Sequence, residues 1–194
     1  MLRRLYAWIL HWADHRLAVP ALFGLAFAES SFFPIPPDVL LIALTLGRPA
    51  RAWWYAAVCS VGSILGGIAG YAIGALLWEV LHDWFIPLVF SQQVFDHVGE
   101  LYRQNAFLAI FTAAFTPIPY KVFTIAAGVF HDQVSLGMLV LASAIGRPLR
   151  FFLVAGLLRW FGEPMKGFID KHFDWLALLF TALLVGSFLL IKLL

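Results

Sequence analysis

Two short stretches decide the fold, because each interrupts an apolar segment with prolines. Residues 32–39 read Phe-Phe-Pro-Ile-Pro-Pro-Asp-Val, and residues 115–122 read Phe-Thr-Pro-Ile-Pro-Tyr-Lys-Val. Proline lacks a backbone N–H and disfavours helix in the preceding residue, so alternate prolines end a helix and force an extended turn. We therefore predict two hairpin tips, which contain five prolines: Pro34, Pro36, Pro37, Pro117 and Pro119.

The two stretches also indicate an internal repeat. They align at a constant offset of 83 residues, with identical residues at five of eight positions. Each is followed by an apolar return arm and then by a long apolar segment, so the repeating unit is a hairpin plus a membrane span. Chance similarity between apolar segments is the alternative explanation.

The composition identifies the class of protein. Of 194 residues, 62% are hydrophobic and 12% are charged, whereas a soluble domain has about 45–50% apolar and about 25% charged residues. A soluble domain, a disordered chain and a nucleic-acid-binding module are thereby excluded. The single cysteine, Cys59, has no disulfide partner, and the six histidines lack metal-site spacing, so we expect no metal and no cofactor.

The apolar segments fall into two length classes. Residues 52–78, 134–161 and 175–194 are each long enough to cross a bilayer, which takes about 20 apolar residues. Four shorter segments, 17–28, 39–47, 106–114 and 122–130, flank the two proline motifs and cannot cross alone. We therefore predict an all-α integral membrane protein with two re-entrant helical hairpins, each followed by a transmembrane helix. Their tips should be buried together or line a site, because non-helical backbone needs cover at that depth.

The predicted organisation is a single membrane domain, residues 1–194. It comprises an interfacial helix (1–16), the first repeat (17–78), an external amphipathic connection (79–105), the second repeat (106–161) and a C-terminal span (175–194). A signal peptide is the alternative for the N-terminus, since Ala26-Phe27-Ala28 resembles a cleavage site. Cleavage there would remove half of the first hairpin.

The basic residues set the orientation. With the N-terminus in the cytoplasm, eight of the 13 Lys and Arg residues face the cytoplasm, two face outward and three lie in the membrane, as the positive-inside rule requires. The first hairpin then enters from the cytoplasm and the second from outside. This inverted-topology repeat is the plan of many secondary transporters.

Five charged residues fall inside the hydrocarbon region: Glu29, Asp38, Lys121, Arg147 and Arg150. Each costs about 2.5–3.5 kcal/mol at the bilayer centre without a partner. Asp38 and Lys121 occupy equivalent repeat positions, which predicts that they pair. The excess of one positive charge favours an anionic ligand such as a lipid phosphate, with Glu29 and Asp38 as proton carriers. A purely structural salt bridge between Asp38 and Lys121 is the alternative.

Small residues recur every four positions along the first long span, at Gly62, Gly66, Gly70 and Gly74. Such a face lets another helix approach closely. Two uses remain open, packing against a hairpin or formation of a homodimer.

Residues 29–38, Glu-Ser-Ser-Phe-Phe-Pro-Ile-Pro-Pro-Asp, together with residues 115–128, resemble the DedA family of SNARE-associated or VTT-domain membrane proteins. The resemblance covers roughly residues 17–160. It implies paired re-entrant hairpins and proton-dependent transport of phospholipid or polyprenyl-phosphate lipid between leaflets, with Glu29 and Asp38 as the membrane-embedded acids. One arginine of the typical second motif has no counterpart here, and Lys121 best matches the other; Arg147 or Arg150 are candidates to replace the missing guanidinium.

We therefore expect a lipid transporter of the flippase or scramblase type in the bacterial inner (plasma) membrane, multi-pass, with its N-terminus cytoplasmic. Glu29 and Asp38 would couple protons, and Lys121, Arg147 and Arg150 would bind the phosphate. The expected partners are membrane lipids and protons. We expect no enzyme, because the motifs of lipid phosphatases and hydrolases are missing from the sequence. A cation/proton antiporter of small solutes and a structural membrane scaffold are the alternatives.

Overall fold

The computed structural model describes residues 17–89 and 92–161, with side chains except those of residues 78–95. All regular secondary structure in this part of the chain is helical. The predicted interfacial helix, residues 1–16, and the predicted C-terminal span, residues 175–194, lie outside the described residues.

Six α-helices follow one another in this part of the chain. They are α1 (Ala18–Ser31), α2 (Asp38–Gly47), α3 (Ala52–Val89), α4 (Gln92–Phe115), α5 (Tyr120–Val129) and α6 (Leu136–Phe161), with a 3-10 turn at Pro49–Arg51 before α3. The segments Pro49–Leu77 and Leu136–Phe161 are long and apolar enough to cross a bilayer.

The proline motifs separate short helices, as predicted. Residues 32–37 interrupt the helices between α1 and α2, and α2 begins at Asp38 directly after Pro37. Residues 116–119 separate α4 from α5, which begins at Tyr120 after Pro119. The order of short helix, break, short helix and long helix therefore occurs twice along the chain.

Helix α4 consists of two pieces divided at Asn105. That residue has extended backbone angles, φ −162° and ψ 91°, and its side-chain Oδ1 accepts a hydrogen bond from the backbone N–H of Leu108 at 3.0 Å. Asn105 thus caps the N-terminus of the second piece, because asparagine satisfies an otherwise unpaired amide of the first turn. The predicted boundary between the amphipathic connection and the second hairpin lies at this residue.

Helix α3 is longer than its apolar stretch. The sequence predicts a span ending at residue 78, whereas the helix continues to Val89. Glu79, His82 and Asp83 end the hydrophobic run, but residues of this kind are compatible with continued helix. Polarity here marks the end of the apolar segment and not the end of the helix.

The two long helices run antiparallel. Near one end the Tyr71 hydroxyl of α3 donates a hydrogen bond to the carbonyl oxygen of Val134, just before α6, at 3.0 Å. Near the other end Trp53 of α3 stacks on Phe152 of α6, with ring centroids 5.8 Å apart. Arg159 lies over the same Trp53 ring, 5.8 Å from its centroid. The start of α3 and the end of α6 therefore lie on one side of the molecule.

The glycine face of α3 packs against both hairpins of the same chain. A Cβ atom added at Gly62 would lie 2.7 Å from the carbonyl oxygen of Phe23, and one at Gly66 would overlap that of Phe27, both on α1. At Gly70 and Gly74 an added Cβ would overlap Thr124 and Ile125 of α5. The first of the two predicted uses, packing against the short helices of the same chain, is therefore observed at these four glycines.

Two apolar clusters form the core. The first joins α1, α2, the start of α3 and the end of α6, and includes Leu22, Leu41, Tyr55 and Phe151. The second joins α4, α5 and the start of α6, and includes Tyr102, Ile110, Ile125 and Leu139. Buried polar side chains of α1, α3, α5 and α6 meet at the boundary between the clusters.

Replacement of Gly66 by alanine tests this close packing. We expect Gly66→Ala to lower the free energy of unfolding by about 1–3 kcal/mol, since the added methyl group forces α1 away from α3. The matched control is Gly24→Ala on α1, where no atom lies within 4 Å of the added Cβ. The control should leave the melting temperature in detergent unchanged or slightly raised, because alanine has the higher helix propensity. Equal melting temperatures for both variants would contradict the packing.

Candidate functional site

The five charged residues predicted to lie in the membrane come from four helices. Glu29 lies near the end of α1 and Asp38 is the first residue of α2. Lys121 is the second residue of α5, while Arg147 and Arg150 lie on adjacent turns of one side of α6. The end of α1, the two proline breaks and the middle of α6 therefore supply the candidate site.

Arg147 forms the centre of the buried polar network. Its side chain is 2% exposed, and its Nη2 lies 2.5 Å from Glu29 Oε2, in an ion pair with a carboxylate that is 12% exposed. Nη2 also donates to Ser30 Oγ at 3.2 Å, and Nε donates to Ser63 Oγ. Ser30 Oγ in turn lies 3.0 Å from Glu29 Oε2. The guanidinium thus binds α1 and α3 together.

Two aromatic rings flank the same guanidinium. Its central carbon lies 4.7 Å from the ring centroid of Tyr120 and 4.9 Å from that of Phe151. Tyr120 belongs to the second apolar cluster and Phe151 to the first. Cation–π contacts of this kind offset part of the cost of removing arginine from water. Arg147 is therefore the point at which the two clusters meet.

Hydroxyl groups complete the network, and sequence reasoning missed them. Ser30 Oγ and Ser63 Oγ lie 2.6 Å apart, and Thr124 Oγ1 of α5 donates to the carbonyl oxygen of Ser30 at 2.8 Å. The Tyr120 hydroxyl hydrogen-bonds Ser143 of α6. The sequence did contain a signal for them: Ser30 follows Glu29 and Ser63 follows Gly62, both within otherwise apolar helices. A hydroxyl group buried in such a helix needs a hydrogen-bond partner.

Arg150 joins the two hairpin tips. Its Nη2 and Nε donate to the two carboxylate oxygens of Asp38 at 2.8 and 3.3 Å, and its Nη1 donates to the carbonyl oxygen of Thr116 at 2.5 Å. Asp38 follows the first proline break, and Thr116 begins the second. All three guanidinium nitrogens are thereby engaged, so Arg150 holds both breaks against α6.

The predicted pairing of Asp38 with Lys121 is wrong. Asp38 pairs with Arg150 instead, at 2.8 Å. The rigid planar fork of a guanidinium binds both carboxylate oxygens and leaves a further nitrogen for a carbonyl group, a geometry that the compact ammonium group of lysine does not provide. The repeat offset places Ile64 and Gly67 opposite Arg147 and Arg150, so the arginines have no counterpart in the first repeat, and symmetry misassigned the pair.

Lys121 carries the uncompensated charge. The residue is 8% exposed, and its ammonium group has no hydrogen bond or ion pair with any other residue in the described ranges. The Glu29 carboxylate attracts this ammonium group electrostatically, although the two groups are farther apart than an ion pair. The predicted excess of one positive charge therefore resides at Lys121, because Glu29 and Asp38 each pair with an arginine.

The ammonium group of Lys121 is not completely covered by protein atoms. Within the described residues, Thr45 Oγ1 is the only fully buried polar side-chain atom without a partner. The Lys121 nitrogen is therefore not sealed inside, although most of its side chain is covered. A cation in this position is available to a ligand.

Apolar side chains of the first proline break are exposed, so of the two expectations for the breaks, mutual burial is not observed, and the lining of a site stays a prediction. Phe32 and Ile35 are about half exposed, and Phe33 is 37% exposed. Phe115, at the edge of the second break, is also 37% exposed. Burial begins instead at Ser30, Ser31 and Pro37, on either side of the first break. The charged residues thus lie next to four exposed apolar residues, Phe32, Phe33, Ile35 and Phe115, which we call the apolar rim.

Among the described residues, no three His, Cys, Asp or Glu side chains come together as metal ligands. The arrangement consists of arginine-carboxylate pairs, one unpaired lysine and hydroxyl groups. Cationic and hydroxyl donors of this kind have the chemistry to bind an oxyanion.

Comparison with known proteins agrees with the sequence resemblance. The family model described as the VTT domain matches residues 35–159. An uncharacterized protein of Haemophilus influenzae is 35% identical over 192 residues, covering 97% of this chain and 96% of that protein. An uncharacterized protein of Histophilus somni is 31% identical over 188 residues, covering 97% of each chain.

No solved structure matches the chain. The matched family region contains four of the five charged residues of the site, all except Glu29. With the two membrane-capable helices and the proline-broken pairs of short helices, this match shows that the chain belongs to the VTT-domain proteins, the DedA family of membrane proteins.

Proposed function

We propose that the protein transports lipid between membrane leaflets, moving phospholipid or polyprenyl-phosphate lipid with protons as the coupling ion. The observation that carries this proposal is Lys121, a buried but not completely covered cation without a partner among the described residues. An uncompensated charge inside a membrane protein marks a ligand or ion pathway, because its burial is otherwise unfavourable.

The proposed phosphate site centres on Lys121 and Arg147. Arg147 uses Nε and Nη2 in its hydrogen bonds to residues in the described ranges, which leaves Nη1 for a ligand. Tyr120, the neighbour of Lys121, lies against the Arg147 guanidinium, so the two cations belong to one region. Arg150 contributes positive potential, while its three nitrogens hold Asp38 and Thr116.

Glu29 and Asp38 are the proposed proton carriers. A proton on Glu29 would cancel the charge that binds Arg147, and a proton on Asp38 would weaken the contact between the first tip and Arg150. Either event leaves a guanidinium without its anion, which a phosphate can replace. Protonation and phosphate binding would thereby favour each other.

The apolar rim supports a lipid rather than a small solute. Phe32, Phe33, Ile35 and Phe115 are exposed around the breaks behind which the charges lie. A headgroup at Lys121 could therefore keep its acyl or prenyl chains against apolar side chains and the surrounding bilayer. A small free solute has no apolar chains that would contact this rim.

For the membrane setting we propose the bacterial inner membrane, with two re-entrant hairpins in inverted topology and the N-terminus in the cytoplasm. The antiparallel long helices bring Arg48, Arg51 and Arg159 to the same side of the molecule. A common cytoplasmic side for these arginines agrees with the positive-inside rule.

The two alternatives fit the charges less well. A cation/proton antiporter needs an acid available for the cation, whereas both acids here are paired and the remaining charge is positive. A scaffold would explain the two ion pairs but gives no role to a buried, unpaired lysine. A hydrophobic residue of similar size would stabilise such a scaffold better.

Lipid exchange in liposomes tests the proposal. We expect Lys121→Met to reduce leaflet exchange of a fluorescent phospholipid about tenfold or more, since it removes the headgroup cation. The same variant should keep or raise the melting temperature, because an uncompensated buried charge is lost. Arg103→Gln, at an exposed position, is the control with unchanged exchange. A scaffold instead predicts no protein-dependent exchange by either the unmodified protein or the variant.

Proton coupling is tested by imposing a pH gradient on the same liposomes. Exchange by the unmodified protein should respond to the gradient, whereas exchange by Glu29→Gln should not, because glutamine keeps the shape and a hydrogen bond to Arg147 without titrating. A gradient response that survives in both Glu29→Gln and Asp38→Asn would contradict coupling through these acids.

A double-mutant cycle tests the role of Arg150. Asp38→Asn and Arg150→Gln should each lower the free energy of unfolding by about 3–5 kcal/mol, since each leaves a buried charge unpaired. The double variant should lose clearly less than the sum of the two. Thermal unfolding in detergent provides the measurement, and strictly additive losses would show that the pair does not interact.

A further inference from the structure

The buried charges of the site have a definite balance. Glu29 pairs with Arg147 at 2.5 Å and Asp38 pairs with Arg150 at 2.8 Å, so both pairs are neutral as units. Lys121 has no pairing partner in the described part of the chain. In this state the site can neutralise one negative charge without breaking either ion pair.

Burial of the site strengthens the effect of this charge balance on ligand binding. The side chains of Arg147 and Lys121 are 2% and 8% exposed, and the aromatic rings of Tyr120 and Phe151 cover the guanidinium. Electrostatic interactions are strong in such surroundings because little water screens them. A ligand whose charge neutralises that of the site would therefore bind, whereas a ligand with a different charge would be disfavoured.

We propose that the site selects a singly charged phosphodiester headgroup over a doubly charged phosphomonoester. This inference rests on the proposed lipid transport and names the class of phosphate that the site accepts. A phosphodiester carries one negative charge and matches Lys121, whereas a monoester carries close to two above its second pKa of about 6. The second charge of a monoester would face Glu29, which is the carboxylate that acts on Lys121.

The balance also predicts how the selectivity changes. Neutralising Glu29 would leave two positive charges available, those of Lys121 and Arg147, and the site would then match a dianion. Glu29→Gln should therefore shift the preference from the diester toward the monoester. Removal of Lys121 should weaken both classes, since the remaining network is neutral.

Thermal stabilisation by short-chain lipids measures the selectivity. The full-length protein in a maltoside detergent is titrated at about pH 8 with dioctanoyl phosphatidylglycerol, a diester, and with dioctanoyl phosphatidic acid, a monoester. A ligand that binds the folded state raises the melting temperature, and the concentration at which stabilisation begins reports its Kd, because the stabilisation grows with the logarithm of 1 + [L]/Kd. We expect affinity for the diester to be about tenfold or more above that for the monoester, because mismatched charge is strongly penalised.

Three variants make the test specific. Glu29→Gln should lower the diester-to-monoester ratio about tenfold or more, Lys121→Met should remove the diester effect, and Lys121→Arg should restore it. Arg103→Gln should behave as the unmodified protein does. Glycerophosphoglycerol, which has the headgroup but no acyl chains, distinguishes a lipid site from a site for free phosphodiesters: binding as strong as that of the lipid would assign the site to the soluble anion.

The outcomes separate this inference from the proposed function. Equal affinity for both lipids, or a ratio unaffected by Glu29→Gln, would overturn the charge selectivity and leave lipid transport intact. Lack of stabilisation by either lipid, together with no protein-dependent leaflet exchange, would overturn the proposed function itself.

Discussion

The ion pair between Arg147 and Glu29 is the interaction on which the rest of the structure depends. Arg147 is almost fully buried, and a buried arginine is tolerated only when its charge and donors are satisfied. Its partners come from α1 and α3, and its aromatic neighbours come from α5 and α6. All four helices must therefore approach one point. The glycine face of α3 permits this, since α1 and α5 contact it backbone to backbone.

The two arginines of α6 have different roles in the structure. Arg147 joins helix interiors, whereas Arg150 joins the two proline breaks through Asp38 and Thr116. The two breaks interrupt the helices, and an arginine that binds a group in or next to each of them holds the breaks against one another. One side chain thereby links the two breaks. In the proposed proton-coupled transport, this link would connect protonation of Asp38 to a change at the second break.

Sequence predicted the local breaks well and the long-range pairing poorly. Proline chemistry is local, so the breaks at residues 32–37 and 116–119, and the short helices beside them, followed from the sequence. The glycine spacing correctly predicted close helix packing but left its partner open. The pairing of Asp38 with Lys121 failed because it assumed symmetry where the sequence is asymmetric: Arg150 corresponds to Gly67. The serine and threonine contacts depend on helix crossings that no single segment encodes.

The location of Lys121 is hard to reconcile with a purely structural role. Selection for stability alone would replace an unpaired buried lysine with an apolar residue, because no interaction offsets the cost of removing its charge from water. Here the lysine follows Tyr120, whose ring lies against an arginine with no Nη1 partner within the described residues, and apolar side chains at the proline breaks are exposed. The unpaired lysine, the Nη1 without a partner and the exposed apolar side chains are each unfavourable in isolation. A phosphate attached to apolar chains would satisfy all three together. In the proposed phosphodiester site Glu29 would have a defined role: without it the cluster would carry two excess positive charges, more than one phosphodiester could neutralise.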